Sequence, residues 1–329
     1  MARSLIVLPE DSTRRIVGAI EQAKRSLRIK MFAFSDATLL NAVLAGKRRG
    51  VAVQVMLNPE RRSGERDNDH TRRVLARGHV AVKDANPEFD LTHEKSMIVD
   101  DHTGFVQSCN WVTNTLTKAR DYAVVTTSRH DVADLLEGFE ADWHHRPFAP
   151  RRGSHLVWCP GARARICQFI DDAKHRLWVE NERFQDMAVI ERLVRAARRG
   201  VKVSILARRP HTLKRDKLVE GVGGLRILDD TGVKVHQLRS MKLHGKMLLA
   251  DGVAAIIGSI NLAPGSLDSR RELSIEVRND EVVDRLSAVV RADWEHSRPM
   301  DLTDAGLLDD LDEIVAEGSG LLALGEAEA

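Results

Sequence analysis

Two short stretches of the chain carry the same ionisable residues at the same spacing. The pattern H-x-K-x4-D occurs twice, and its members are His93, Lys95, Asp100, His244, Lys246 and Asp251. Imidazole groups act as nucleophiles, acids or bases near neutral pH, and ammonium groups bind anionic oxygens. Two such sets therefore indicate acid–base or nucleophilic chemistry on an anionic group.

Each motif is followed by further polar residues at matching distances. Counted from the histidine, a serine lies 15, an asparagine 17 and a carboxylate 28 residues downstream in both cases. These residues are Ser108, Asn110 and Asp121 after the first motif, and Ser259, Asn261 and Glu272 after the second. A constellation that is repeated at a fixed offset indicates a function more strongly than one short motif does.

The apolar residues that end both motifs predict β-strands. Because alternate side chains of a strand share one face, the histidine and lysine of each motif should point into the same space. The serine and asparagine of each set are also two residues apart and should do the same from a neighbouring strand. Cys109 and Ile260, which lie between them, are expected to point into the core, so we interpret Cys109 as a small buried side chain.

The elements that position these residues belong to an internal duplication. Residues 24–57 align with residues 174–207, at an offset of 150–151, with their apolar positions in register. The first copy predicts a helix with apolar Ile16, Ile20 and Ala23, a strand over 27–34, a helix over 39–49 and a strand over 51–57. This order indicates an α/β fold: two tandem units of mixed sheets flanked by helices.

The repeat also suggests the domain organisation. We place the first unit at residues 1–148, the second at 149–300 and a separate acidic tail at 301–329. Residues 146–155, rich in Pro, Arg and Gly, form the joint. The tail has nine acidic residues and no Lys or Arg. We expect a solvated extension with a short helix over 307–315, the alternative being a flap over the basic mouth of the site.

Composition restricts the class of protein. With 43% hydrophobic and 30% charged residues, the chain is typical of a soluble globular protein. Apolar runs fall short of a membrane span, and Leu5–Leu8 is too short for a signal-peptide core. Three cysteines build no disulfide framework, so we expect a cytoplasmic protein. Without the tail, residues 1–300 hold 39 acidic against 50 basic residues, which suits an anionic partner.

The two H-x-K-x4-D motifs, with the segment 258–261 (GSIN) and Glu272, resemble the phospholipase D superfamily. The resemblance covers nearly all of residues 1–298. It implies two α/β sandwich units related by a pseudo-twofold axis, with one shared active site. It also implies a covalent phosphohistidine intermediate formed without a metal or other cofactor. One of His93 and His244 would attack phosphorus and the other would protonate the leaving oxygen, and we favour His93 as the nucleophile.

The other motif residues take supporting roles in this interpretation. Asp121 and Glu272 are placed to orient the histidines, and we expect Asp100 and Asp251 to brace the site. The resemblance implies phosphate binding by Lys95, Lys246, Asn110 and Asn261, with Ser108 and Ser259 nearby. The two halves differ at aligned positions: Glu94 is aligned with Gly245, and Gln107 with Gly258. A fully symmetric site is therefore not expected.

The sequence leaves the substrate open. A phospholipid phosphodiester, hydrolysed or transferred to an alcohol, is our first hypothesis, with a monomer and peripheral contact at the inner membrane face. A nuclease acting on DNA or RNA is the alternative, because basic loops should rim the pocket; their residues are Arg61, Arg62, Arg208, Arg209, Lys214 and Arg215. A third hypothesis, a binding protein without activity, conflicts with the intact motifs.

Overall fold

The computed structural model describes residues 2–61, 64–208, 218–278, 280–306 and 308–309. Most of the helix predicted over 307–315, and the tail beyond it, lie outside these residues. So do Arg62, Arg209, Lys214 and Arg215 of the predicted basic rim. In the part of the chain that is described, none of the helices is long and apolar enough to cross a membrane.

The first unit alternates strands and helices, and its elements are β1 Arg3–Leu8, α1 Arg14–Gln22, β2 Ser26–Met31, α2 Ala37–Arg48, β3 Ala52–Leu57, α3 Asp69–Arg77, β4 Ala81–Asp84, β5 Ser96–Val99, β6 Thr103–Gln107, α4 Thr113–Lys118, β7 Ala119–Thr126 and α5 Arg129–Trp143. The second unit repeats this order with β8 Leu156–Cys159, α6 Arg163–Asp172, β9 Arg176–Asn181, α7 Met187–Arg198, β10 Lys202–Ala207, α8 Leu218–Asp230, β11 Lys234–Leu238, β12 Lys242–Leu243, β13 Lys246–Ala250, β14 Ala254–Gly258, α9 Pro264–Asp268, β15 Glu272–Val277, α10 Asp280–Glu295 and β16 Ser297–Pro299. No helix or strand spans 144–155, which supports our proposal that the units meet near residue 148.

Both sheets are mixed and have corresponding strand orders. The first runs β1-β7-β6-β5-β2-β3-β4, and the second runs β8-β15-β14-β13-β9-β10-β11 with β16 added at its far edge. β2, β3 and β4 are parallel, whereas β5 lies antiparallel to β2. The predicted α/β architecture of two tandem units is confirmed.

The predicted elements of the first copy are present with small shifts at their ends. Ile16 and Ile20 are buried on α1, and the capping carboxylate of Asp36 accepts a hydrogen bond from the Leu39 amide (3.0 Å) at the start of α2. Gly50, with a φ of +92°, follows the end of this helix. The strand predicted over 27–34 is shorter and ends at Met31.

Alternate residues of the strands enter different cores, so each sheet is covered on both faces. In β1, Leu5 and Val7 join a central core between the two units, whereas Ile6 and Leu8 join the outer core of the first unit. The central core also takes residues from both motif strands and from α5 and α10. Burial of these two apolar faces against each other holds the units in a fixed relation.

Buried ion pairs cross the boundary between the units in matched positions. Nε of Arg120 lies 2.6 Å from Asp293, and Nε of Arg271 lies 2.8 Å from Asp142. Each arginine belongs to one unit and each aspartate to the other, at an offset of 151 residues. Backbone hydrogen bonds also cross this boundary, because β12 of the second unit pairs with β7 of the first, which carries Arg120. These contacts across the boundary bring the two motifs together.

Asp100 and Asp251, which we expected to brace the site, lie at the far ends of the motif strands. The Asp100 carboxylate accepts hydrogen bonds from the backbone amides of Lys24, Arg25 and Ser26, and Asp251 does the same at residues 174–176. The four residues of β5 lie between Asp100 and the histidine and alone span roughly 13 Å, at about 3.3 Å per residue. The expectation that these aspartates brace the site is therefore corrected: they hold the turn that precedes a central strand.

We expect the Asp100→Asn substitution to lower stability without a direct effect on the chemical step. Partial burial acts to raise the pKa of Asp100, but the three amides outweigh it and hold that pKa below its ordinary value. The ionised carboxylate should stabilise the fold by about 1–2 kcal/mol at neutral pH. This contribution is lost as the pH falls through the folded-state pKa, so the difference between wild type and variant should shrink below about pH 4. Urea unfolding from pH 7 to pH 3 measures it.

The exposed Asp229→Asn variant in α8 serves as the control for the loss of a charge. An Asp100→Asn variant with full stability and reduced kcat would instead assign Asp100 a direct role in the active site.

Candidate active site

The motif histidines lie just before the strands that the motifs predict. β5 begins at Ser96, and β13 begins at Lys246, so both strands start later than expected. The reason is a contact with the other unit. The amides of His93 and Glu94 both donate to the carbonyl of Arg271, at 2.8 and 3.0 Å. The amides of His244 and Gly245 donate in the same way to the carbonyl of Arg120.

Each histidine is oriented by a carboxylate of the other unit. Nδ1 of His93 lies 2.9 Å from Oε2 of Glu272, and Nδ1 of His244 lies 2.9 Å from Oδ2 of Asp121. Both carboxylates are fully buried. A proton on Nδ1 satisfies this contact, so each Nε2 keeps a lone pair for bonding or proton transfer. The carboxylates expected to orient the histidines do lie beside them, but across the boundary between the units.

The two motif lysines lie close to the histidines. The ammonium groups of Lys95 and Lys246 each donate to the carbonyl of the motif histidine two residues earlier. Because His93 contacts Glu272 of the second unit and His244 contacts Asp121 of the first, both half-sites belong to one site. Two cationic groups in one buried space provide positive charge for an anionic substrate.

The serines and asparagines take different positions. Ser108 and Ser259 are fully buried: the first hydroxyl donates to the Asp121 carboxylate (2.5 Å), and the second bonds the backbone of Leu273. The two hydroxyls, which we expected near the phosphate, are therefore engaged in holding the β7 and β15 segments that carry the orienting carboxylates.

The asparagines keep unmet hydrogen-bonding capacity. The Oδ1 atoms of Asn110 and Asn261 are buried and lack a hydrogen-bond partner within the described residues. Cys109 packs in the outer core of the first unit, and Ile260 in that of the second, as predicted. Burial raises the pKa of the Cys109 thiol, which keeps it in the unreactive protonated form.

Two residues that the sequence analysis missed distinguish the half-sites. Phe32 contacts the His93 ring edge-on, with 4.8 Å between ring centroids, and Cζ of Arg61 lies 5.5 Å from the centroid of the Phe32 ring. At the aligned position of the second unit, Glu182 bonds Lys246 (2.6 Å) and Arg208. Both residues immediately follow a central parallel strand, where ligands commonly bind in α/β sheets. Their position near the end of a predicted strand was the feature of the sequence that could have identified them.

The differences between the two motifs have a packing explanation. Glu94 accepts hydrogen bonds from Lys30 (2.9 Å) and Ser96 (2.6 Å) in the first unit. In the second unit, a Cβ on Gly245 would lie 2.7 Å from the Tyr122 ring, so a side chain has no room there. Tyr122 donates instead to Glu180, the residue aligned with Lys30. Burial raises the pKa of Glu180 to about 8.

The environment of the first motif lowers the pKa values of both its histidine and its lysine. Burial lowers the pKa of His93 to about 4, although Glu272 acts in the opposite direction. Burial likewise lowers the pKa of Lys95 to about 7. His93 is therefore neutral at physiological pH, the form in which an imidazole is a nucleophile. Among the residues that the structure describes, no group of three or more His, Cys, Asp or Glu side chains is arranged to hold a metal ion.

These pKa values predict a pH profile for kcat/KM. Activity should fall below about pH 4, because protonated His93 has no lone pair, and above about pH 7, because neutral Lys95 loses its attraction for an anion. The Lys95→Arg variant, whose guanidinium stays charged, should move the alkaline limb to higher pH even if its plateau is lower. Initial rates between pH 3.5 and 10 measure both limbs. An alkaline limb that stays in place in the arginine variant would assign it to another group.

The fold and the site define a class of protein: an enzyme that acts on phosphodiesters and is built from two tandem α/β units, each of which contributes one histidine to the site. The family model described as "Cardiolipin synthase, PLD-like domain" matches residues 16–143 and again residues 166–294. The chain belongs to this family, and it is a phosphodiesterase or transferase of the phospholipase D type. The two matches correspond to the two units of the fold.

Individual relatives agree with this family. Cardiolipin synthase B of Salmonella typhimurium is 25% identical over 328 residues, covering 83% of this chain and 76% of that protein. The mitochondrial cardiolipin hydrolase of Homo sapiens is 29% identical over 157 residues, covering 46% of this chain and 60% of that protein. The crystal structure of phosphatidylserine synthase from Haemophilus influenzae has a TM-score of 0.70 at 11% identity, over 98% of this chain and 94% of that one, and shows a shared fold.

Proposed function

We propose that this protein cleaves a phospholipid phosphodiester by two displacements at phosphorus and transfers the phosphatidyl group to an alcohol or to water. The observation that carries the proposal is the pair of histidines: each is held at Nδ1 by a buried carboxylate of the other unit, and no residue that the structure describes forms a hydrogen bond with Nε2. Two imidazoles held in this way can divide the duties of a nucleophile, which uses an Nε2 lone pair, and of a general acid, which carries a proton on Nε2.

His93 is the nucleophile in this proposal. Its Nε2 lone pair attacks phosphorus, the bond from phosphorus to the leaving oxygen breaks, and a proton on Nε2 of His244 passes to that oxygen. The positive charge that develops on the His93 ring is balanced by Glu272, which lies 2.9 Å from Nδ1. In the second step the oxygen of the incoming alcohol or water bonds to phosphorus, the bond from phosphorus to Nε2 of His93 breaks with its electron pair returning to that nitrogen, and Nε2 of His244 takes the proton.

The phosphate oxygens bind between the two halves. Lys95 and Lys246 neutralise the charge that grows on the non-bridging oxygens, so the protein's own cations perform the role that a metal has in other phosphodiesterases. Asn110 and Asn261 contribute the Nδ2–H groups of their amides, because a phosphate oxygen accepts hydrogen bonds and an amide oxygen cannot donate one. We accordingly propose that the reaction requires no metal ion.

A lipid substrate is favoured over nucleic acid by the names of the relatives, a cardiolipin synthase and a cardiolipin hydrolase. The excess of basic residues in 1–300 suits peripheral contact with an anionic membrane surface. Both half-sites lie in one chain, so we propose that a monomer is sufficient for activity.

One substrate panel tests the proposal. The full chain is assayed on vesicles of phosphatidylcholine or phosphatidylglycerol, on single- and double-stranded DNA, and on bis(p-nitrophenyl) phosphate, each with and without EDTA. We expect turnover of a lipid and of the nitrophenyl ester, unchanged by EDTA. The matched blank is the His93→Ala, His244→Ala double variant, purified in the same way.

The outcomes are separable. Cleavage of DNA without action on any lipid would establish the nuclease alternative. Loss of activity on chelation would refute the metal-free mechanism. No reaction on any of the five substrates would contradict the assignment of both histidines.

A further inference from the structure

The Glu182 carboxylate lies inside the candidate active site, although a site for phosphate would be expected to exclude anions. Its side chain is only 9% exposed. Oε2 lies 2.6 Å from Nζ of Lys246 and 3.8 Å from Nε2 of His244. Oε1 accepts from Arg208. A carboxylate in this place repels a phosphate oxygen, so its presence calls for a role other than phosphate binding.

The aligned position in the other half-site has the opposite chemistry. Phe32 presents an aromatic ring to His93 and Lys95, with the Lys95 ammonium 5.0 Å from its centroid. The two sides of the reacting phosphorus therefore face different walls. At this position the side of His93 presents a ring, which is no acceptor for a substrate hydroxyl. The side of His244 carries a fixed acceptor.

The charges around Glu182 indicate which ligand group it accepts. Burial by itself would raise the pKa of the Glu182 carboxyl, but Lys246 and its other cationic neighbours hold that pKa well below its ordinary value. The carboxylate is thus ionised and already paired with two cations, Lys246 and Arg208. It has no need of a third cation. Oε2 has a second lone pair, which suits a neutral hydroxyl donor.

The position of Oε2 fits a hydroxyl beside the reacting one. An alcohol oxygen that exchanges a proton with Nε2 of His244 would lie at about 2.8 Å from it. Because Oε2 is 3.8 Å from the same nitrogen, a hydroxyl on the adjacent carbon of that alcohol can reach Oε2. An alcohol with a single hydroxyl leaves this acceptor without a donor from the substrate.

We propose that Glu182 is a specificity-determining residue that selects alcohols with vicinal hydroxyls, such as a glycerol group, as the acceptor at the His244 side. The proposal rests on the histidine mechanism given above. In the transfer step the acceptor oxygen bonds to phosphorus as the bond from phosphorus to Nε2 of His93 breaks. The bonding pair returns to that nitrogen, and the acceptor proton moves to Nε2 of His244. Glu182 accepts a hydrogen bond from the second hydroxyl and takes no part in the bond changes.

Competition between acceptors tests this role. The full chain reacts with bis(p-nitrophenyl) phosphate in an equimolar mixture of glycerol and 1-propanol, and mass spectrometry measures the ratio of the two transfer products. The wild type should favour glycerol. In the Glu182→Leu variant the ratio should fall about tenfold, because a hydrogen bond to a charged acceptor is lost, and Glu182→Gln should be intermediate. The ratio comes from one mixture, so it does not depend on how much of a variant is folded.

Matched controls separate the outcomes. Glu191→Gln removes a carboxylate from an exposed position of α7 and should leave the ratio unchanged. If the wild type releases no p-nitrophenol, the proposed histidine chemistry fails. If it does, and the ratio in Glu182→Leu equals that of the wild type, the role of Glu182 fails alone. A wild-type preference for ethanolamine over glycerol that is lost in Glu182→Leu would show selection of a cation and would also overturn the proposal.

Discussion

The His93→Ala variant is expected to lose phosphodiester cleavage by at least about 10³-fold, whereas His244→Ala should still complete the first displacement on an activated ester. p-Nitrophenol is a good leaving group and needs little protonation, so the loss of the general acid matters less for it. With bis(p-nitrophenyl) phosphate, His244→Ala should release one equivalent of p-nitrophenol per enzyme in a burst and accumulate a phosphoprotein. His93→Ala should show neither a burst nor a phosphoprotein.

Rapid-quench kinetics and intact-protein mass spectrometry measure the burst and the adduct. His130→Ala, an exposed histidine on α5, is the control and should behave as wild type. A burst and an adduct in His93→Ala that are absent from His244→Ala would reverse the assignment of the nucleophile. The assignment to His93 agrees with its low pKa of about 4, which keeps the ring neutral.

The Lys30→Met substitution is expected to have the largest effect on stability. Nζ of Lys30 is fully buried between the carboxylates of Glu94 (2.9 Å) and Asp142 (2.5 Å). Removal of the ammonium leaves buried negative charge with too little compensation, which costs about 3–5 kcal/mol. The midpoint of urea unfolding at pH 7 should fall accordingly.

Two further variants test the cause. Arg28→Met removes a cation from the same strand, where Arg28 pairs with Glu140 and Asp101 near the surface, and should cost about 1 kcal/mol or less. Addition of Glu94→Gln to Lys30→Met should recover part of the loss, because it neutralises a carboxylate that has lost its partner. A Lys30→Met variant as stable as Arg28→Met would show that the buried charge is compensated in another way.

Much of the fold follows from local patterns. The helix over 39–49 and the strand over 51–57 were predicted to within two residues, because apolar periodicity and Gly50 mark their ends. The predicted strand boundaries were less accurate where the other unit supplies the hydrogen-bond partners of a segment. The strands of the motifs begin later than their apolar tails suggest, because the preceding amides bond to Arg271 and Arg120 across the boundary.

The sequence by itself determined that two copies of one unit carry matched histidines, lysines, asparagines and carboxylates, because the repeat preserves residue types at fixed spacing. It could not determine which carboxylate serves which histidine, since a spacing of 28 residues in each copy is the same for either pairing. The tertiary structure gives Glu272 to His93 and Asp121 to His244. It also places Glu182 inside the site and Asp100 outside it. Such contacts depend on how two buried sheet faces pack against each other, and spacing along one chain does not record that.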